Sequence, residues 1–120
     1  MKLLEQLTTT AGVPGRESRV RELIQRETDA LFDSIRVDDL GSLHGVIQPR
    51  PGRGRKAPRQ PKKIMIAAHM DQIGFLVRHI DNKGYLWLNP VGGFDTRNLF
   101  ARVVTVVPDE RDPNRDLDGI

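Results

Sequence analysis

The sequence predicts an α/β fold over residues 1–72, followed by a β-rich part over residues 73–120. Helical periodicity dominates the first thirty or so residues, and an apolar run with no charge follows at residues 64–68. After Asp71 only strand and turn patterns occur. We therefore expect a domain boundary near residues 72–74, where the mixed helix and strand patterns give way to strand and turn patterns alone.

Two amphipathic helices are predicted at the N-terminus. Leu3, Leu4 and Leu7, at positions i, i+1 and i+4, indicate a short amphipathic helix from Lys2 to Thr9. The sequence AGVPG at residues 11–15 ends this helix. A second helix is predicted from about Glu17 to Phe32. Its apolar stripe consists of Val20, Leu23, Ile24 and Leu31.

Strands are predicted in three places around the apolar run. Residues 34–37 and 42–48 form one hairpin around the turn at 38–41, and residues 75–80 and 85–88 form another. Residues 102–107 form a further strand, while the last twelve residues are polar and show no pattern of core positions. The run at 64–68 contains two β-branched residues, so we expect a central strand covered on both faces.

A basic loop, residues 49–63, precedes that strand. It combines proline and glycine at a density that helices and sheets do not tolerate. The net charge of the chain is +3, and the loop supplies more positive charge than that, so the remainder is mildly acidic. A solvated insertion is the simpler interpretation, because the loop has no aromatic residue for base stacking; nucleic-acid binding is the alternative. Its cations are Arg50, Arg53, Arg55, Lys56, Arg59, Lys62 and Lys63.

Several classes of protein are excluded by composition. The chain has no cysteine, which excludes disulfides and thiolate metal sites. No stretch approaches the roughly 20 apolar residues of a membrane helix, and the N-terminus lacks the apolar region of a secretory signal. We therefore expect a soluble cytoplasmic protein without membrane partners.

The strongest chemical signal is His69 followed by Asp71 at the end of the predicted central strand. Ligands bind outside the carboxyl ends of strands in open α/β sheets. A spacing of two places both side chains on one face of a strand. A carboxylate can then fix the tautomer of a metal-binding imidazole. The alternative is a buried histidine that a carboxylate holds for structural reasons alone.

Other candidate ligands are weaker. His44 and His79 lie in predicted strands, where isolated histidines usually have packing or surface roles. The tail at residues 114–120 begins like a calcium loop, but it lacks the glutamate that completes one, and Pro108 and Pro113 argue against a preceding helix.

Four motifs in one order resemble a known family. They are AGVPGRE at 11–17, DDLGSL at 38–43, AAHMDQIGF at 67–75 and PVGGFD at 90–95. The chain resembles the N-terminal part of the tetrahedral (TET-type) dizinc aminopeptidases, some of which are labelled glutamyl aminopeptidase or endoglucanase/cellulase M. The resemblance implies the N-terminal part of an α/β zinc-exopeptidase domain, followed by the start of an inserted small β-barrel domain.

The resemblance also implies a function. It implies a metallo-exopeptidase that removes N-terminal residues from peptides inside a large homo-oligomer, using two divalent metals, zinc or else cobalt or manganese. His69 matches a metal ligand and Asp71 the catalytic-site carboxylate that orients it. The family usually has Glu where this chain has Gln72, and its other ligands and general base lie in later segments. We therefore expect a truncated fragment, inactive alone; the alternative is a non-catalytic assembly module of the same fold.

Overall fold

The computed structural model describes residues 2–52, 54 and 60–118. Two helices are followed by three antiparallel two-stranded sheets, β1-β2, β3-β4 and β5-β6. None of the described helices is both long and apolar enough to span a membrane. The elements are α1 (Lys2–Thr9), α2 (Ser18–Thr28), a 3₁₀ helix (Asp29–Leu31), β1 (Ser34–Val37), β2 (Leu43–Val46), β3 (Gly74–Ile80), β4 (Leu86–Val91), a 3₁₀ helix (Thr96–Leu99), β5 (Thr105–Val106), a 3₁₀ helix (Pro113–Arg115) and β6 (Leu117–Asp118).

These elements pack locally and do not enclose a common core. Among the described residues, the buried hydrophobic side chains are Val20 and Leu23, both on α2. The radius of gyration is 19.5 Å, whereas a compact domain of this length has about 14 Å. The second helix is shorter than predicted, because its last turn is the 3₁₀ helix Asp29–Leu31. The predicted mixture of helices and strands is confirmed, but the chain is extended.

Both predicted hairpins are confirmed, and each has an aspartate at its turn. Asp38 Oδ1 accepts hydrogen bonds from the backbone N–H groups of Leu40 (3.0 Å) and Ser42 (2.8 Å) between β1 and β2. Asp81 Oδ1 accepts in the same way from Lys83 and Tyr85, both at 2.9 Å, between β3 and β4. Side chains that satisfy the backbone in this way favour turns. The two hairpins therefore follow from local turn chemistry.

The predicted central strand is wrong for this chain. Residues 61–73 are all described and form no helix or strand. The side chains of Ile64, Met65 and Ile66 are 87%, 88% and 93% exposed. A central strand requires neighbouring strands on both edges, and no described segment pairs with this one. The run is apolar enough to be buried, but nothing in the described structure covers it. The strand predicted at residues 102–107 is likewise reduced to Thr105–Val106.

The polar tail is held against α2 by charged groups. The Arg19 side chain donates to the carboxylate of Asp116 (2.5 and 3.0 Å) and to the backbone carbonyls of Asp109 (2.8 Å) and Glu110 (2.7 Å). The backbone N–H of Ser18 donates to Glu110 Oε1 at 2.7 Å. That N–H belongs to the first turn of α2 and has no partner within the helix. The tail therefore caps α2 from a distance of more than ninety residues along the chain.

Candidate metal centre

His69 and Asp71 lie in the extended segment that follows the exposed apolar run. His69 Nδ1 is 3.0 Å from the backbone carbonyl oxygen of Asp71 and 3.2 Å from its Oδ1. Both of these atoms are acceptors, so the contact assigns the ring proton to Nδ1. This tautomer leaves the Nε2 lone pair available for a metal. The two side chains meet as their spacing predicted, although the strand expected to align them is absent.

The imidazole is accessible. The His69 side chain is 86% exposed and that of Asp71 37%. An exposed Nε2 beside a carboxylate that fixes the opposite nitrogen fits one position of a zinc site. A complete site requires further ligands. Within residues 2–52, 54 and 60–118, no three His, Asp or Glu side chains are grouped so as to hold a metal ion.

The other two histidines lie in hairpins. His44 Nε2 donates to Asp38 Oδ2 at 2.9 Å, across the turn between β1 and β2. That hydrogen bond, followed by those from the Ser42 and Leu40 backbone, lowers the pKa of the Asp38 carboxyl below its ordinary value. His79 lies in β3 opposite Trp87. His44 therefore has a carboxylate partner within its own hairpin.

The tail carboxylates act as caps of their own turns. Asp109 Oδ1 accepts from the backbone N–H of Arg111 at 2.9 Å, and Asp112 Oδ1 from that of Asn114 at 3.1 Å. The residues that resemble a calcium loop are 114–120, of which 119 and 120 lie outside the described residues. The Asp116 carboxylate accepts from Arg19, and Asp118 Oδ1 accepts from the Thr105 hydroxyl at 2.6 Å, so both of these carboxylates have partners within the chain.

Only part of the basic loop can be placed. Four of the cations on which the nucleic-acid interpretation depends, Arg53, Arg55, Lys56 and Arg59, lie outside the described residues. Arg50 is described, and its Nη2 lies 3.3 Å from Asp33 Oδ1, with the arginine side chain 78% exposed. At least one cation of the loop therefore has an acidic partner within the chain.

Sequence reasoning missed the contacts that anchor the segment carrying His69. The backbone N–H of Gln72 donates to the carbonyl of Gly12 at 2.8 Å, and its side-chain amide donates to the carbonyl of Thr10 at 3.3 Å. From the sequence, Gln72 is notable only because it replaces the glutamate that is usual in the family. The sequence signal for this contact is Gly12 in AGVPG, because glycine permits the close approach of a second backbone segment.

Comparison with known proteins identifies the family. The profile of the M42 glutamyl aminopeptidases matches residues 53–115. The chain belongs to the M42 glutamyl aminopeptidase family. It is 45% identical over 91 residues to a putative aminopeptidase of Acetivibrio thermocellus, a match that covers 76% of this chain and 24% of the relative. It is 36% identical over 104 residues to the lysyl aminopeptidase of Pyrococcus furiosus, covering 86% and 27%.

A solved structure agrees with this assignment. The TET aminopeptidase from a marine-sediment thaumarchaeote superimposes with a TM-score of 0.74 at 28% identity, covering 88% of this chain and 27% of that one. The predicted resemblance to TET-type aminopeptidases is therefore confirmed, and the helix and strand arrangement is similar to theirs. The chain spans about a quarter of the length of the curated relatives it matches.

Proposed function

We propose that this chain contributes the His-x-Asp part of a metal-dependent aminopeptidase, which removes N-terminal residues from peptides. The observation that carries the proposal is the contact between His69 Nδ1 and Asp71, at 3.0 and 3.2 Å. It is the arrangement that prepares an imidazole for a metal. Membership of an aminopeptidase family supports the same chemistry.

The two residues have different roles in this proposal. His69 binds one metal through Nε2, and Asp71 holds the ring in the required tautomer and orientation. A pair of divalent metals, zinc or else cobalt or manganese, would supply polarisation of the scissile carbonyl and a water of lowered pKa. One imidazole and one orienting carboxylate do not complete a four-coordinate site. We propose that the remaining ligands and the general base come from other segments of a longer polypeptide.

The domain organisation and assembly follow the same proposal. Residues 1–72 belong to the catalytic domain, and residues 73–120 begin an inserted β-barrel domain. The likeness to a TET aminopeptidase supports a homo-oligomer, which we place in the cytoplasm. Peptides are the substrates, as in the relatives named for aminopeptidase activity.

A chimera tests the proposal directly. Residues 1–120 would replace the corresponding part of the Pyrococcus furiosus lysyl aminopeptidase, with release of lysine from a peptide as the assay. We expect metal-dependent turnover, its loss in His69→Ala, and about a 10- to 100-fold decrease in Asp71→Asn. His79→Ala is the matched control and should behave like the parent chimera.

Two outcomes would contradict the proposal. Full turnover in the His69→Ala chimera would show that this imidazole is not a ligand. A chimera that assembles and holds metal like the relative, yet does not cleave peptide, would favour the non-catalytic assembly module. The 120-residue chain by itself, given zinc or cobalt, should neither bind metal tightly nor turn over.

A further inference from the structure

A turn near the N-terminus contacts the segment that carries His69 and Asp71. We propose that this turn, residues 10–16, positions the His69–Asp71 pair for metal binding, and we call it the positioning turn. The inference rests on the proposed function, because it concerns the orientation of the same imidazole.

The first support is a pair of hydrogen bonds made by one residue. Gln72 directly follows Asp71, and its backbone N–H donates to the carbonyl of Gly12 at 2.8 Å. Its side-chain amide donates to the carbonyl of Thr10 at 3.3 Å. Two bonds to one turn restrict rotation of the backbone immediately after Asp71. Residues 61–73 have no secondary structure of their own, so these bonds are an external restraint on the pair.

The second support is close packing around two glycines. A Cβ on Gly74 would lie 2.3 Å from Cγ1 of Val13, and a Cβ on Gly12 would lie 2.7 Å from Cγ1 of Val20. Neither position has room for a methyl group unless the valine moves. Val20 is only 3% exposed. The contacts therefore run from Gly74, which is the first residue of β3 and lies two residues after Gln72, through the positioning turn to the buried face of α2.

The third support is the geometry of the turn itself. The backbone N–H of Arg16 donates to the carbonyl of Val13 at 2.8 Å. Pro14 occupies the second position of this four-residue turn, and Gly15, with φ of +80°, occupies the third. Proline followed by glycine with positive φ is the signature of a type II turn. The turn is thus preorganised by its own sequence, which suits an element that holds another segment in place.

Positioning matters because metal ligands tolerate little displacement. The side chains of a binding site must be held within about 0.5 Å of the positions in which they bind their ligand, and contacts with neighbouring residues provide that accuracy. His69 is exposed and its covering strand partners are absent from the described structure. The positioning turn is the part of the described structure that hydrogen-bonds to the backbone directly after Asp71.

The test uses the 120-residue chain and two NMR measurements. Hydrogen exchange of the Gln72 amide reports on the contact with the turn, and line broadening by dilute Mn²⁺ reports on weak metal binding at His69. In Gly74→Ala the new methyl displaces Val13, so we expect at least about a tenfold faster exchange and at least about a threefold weaker broadening. Adding Val13→Ala removes the clash and should restore both values.

Two controls accompany these variants. Gly93→Ala adds the same methyl where nothing lies within 4 Å of the new Cβ, so it should leave both measurements unchanged. His44 is an internal control, because its pair with Asp38 belongs to the β1-β2 hairpin. Any broadening at His44 should be equal in all variants.

Three results would overturn the inference. Parent-like exchange in Gly74→Ala would mean that the turn does not hold the segment. Faster exchange with unchanged broadening at His69 would mean that the contact is structural only. No preferential broadening at His69 in the parent chain would mean that there is no positioned ligand. Failure of the proposed function looks different, since it gives an inactive chimera while Mn²⁺ broadening and its rescue remain.

Discussion

Replacing Arg19 with methionine tests whether the tail is held by the charged contacts described above. The substitution keeps an unbranched apolar stem and removes every donor of the guanidinium. Two of its hydrogen bonds reach the Asp116 carboxylate, and the others reach the backbone carbonyls of Asp109 and Glu110. The mutant would leave the Asp116 carboxylate without its cation.

The magnitude follows from burial. The Arg19 and Asp116 side chains are 15% and 18% exposed, so solvent screens this pair only partly. Removing one partner of a buried pair costs about 3–5 kcal/mol. Because both side chains keep some exposure to solvent, we expect Arg19→Met to destabilise the docked tail by about 2–3 kcal/mol. An opening equilibrium of the tail that shifts by this amount changes roughly 30- to 150-fold.

The Ser18 amide is the reporter. Its hydrogen bond goes to Glu110 Oε1, and an N–H in the first turn of a helix has no partner within the helix. Hydrogen exchange at this amide therefore measures docking of the tail, and we expect it to be roughly 30- to 150-fold faster in Arg19→Met. Arg97→Met is the matched control, because Arg97 pairs with Asp95 two residues away and is 89% exposed. An acceleration below about threefold, or one that the control reproduces, would refute the reasoning.

Two further predictions concern a titration and a surface. The hydrogen bond from His44 is the largest of the contacts that lower the pKa of the Asp38 carboxyl in the folded chain. The ionised carboxylate therefore stabilises the β1-β2 hairpin at any pH above the unfolded pKa of 3.8, and this stabilisation is lost as the pH falls through the lower folded pKa. NMR titration should place the pKa of the Asp38 carboxyl below 3.8; a midpoint at or above that ordinary value would contradict the assignment. We expect the exposed apolar residues Ile64, Met65 and Ile66 to cause concentration-dependent self-association of the chain, because Ile66 is 93% exposed and burying such a side chain between copies contributes about 2 kcal/mol. Ile66→Lys should therefore reduce the self-association measured by sedimentation without changing the circular dichroism. Unchanged association would show that another surface is responsible.

The hairpins were predictable because their information is local. In both turns an aspartate lies three residues before a glycine with positive φ, Gly41 in one and Gly84 in the other. The aspartate carboxylate accepts from the backbone N–H groups of the same turn. All of these contacts fall within five residues, so residue type and spacing were enough to locate them.

The contact between His69 and Asp71 was predictable for a related reason. Two residues separated by one lie close together in any extended conformation, whether or not a sheet forms around them. The predicted contact between His69 and Asp71 is therefore present although the predicted strand is not. The hydrophobicity of residues 64–68 indicates that the segment favours burial, but it does not say which segment would cover it.

The contacts that hold the segments together could not be predicted. Arg19 and Asp116 are 97 residues apart, and Gln72 and Thr10 are 62 apart. The chain contains many arginines and aspartates, and composition does not select which of them meet. Gly12 and Gly74 could be recognised as glycines, but not as the two positions at which Val20 and Val13 leave no room for a methyl group.

The sequence by itself determined the helices, the turns, the hairpins, the His-x-Asp motif and the family, because each depends on residues that are neighbours in the chain or on motifs read in order. Only the tertiary structure decided that the tail caps α2, that the N-terminal turn contacts Gln72, and that the apolar run lies exposed. The physical reason is that periodicity and turn chemistry act over a few residues. Pairing between distant segments depends on shape and charge in three dimensions, which one-dimensional spacing does not encode.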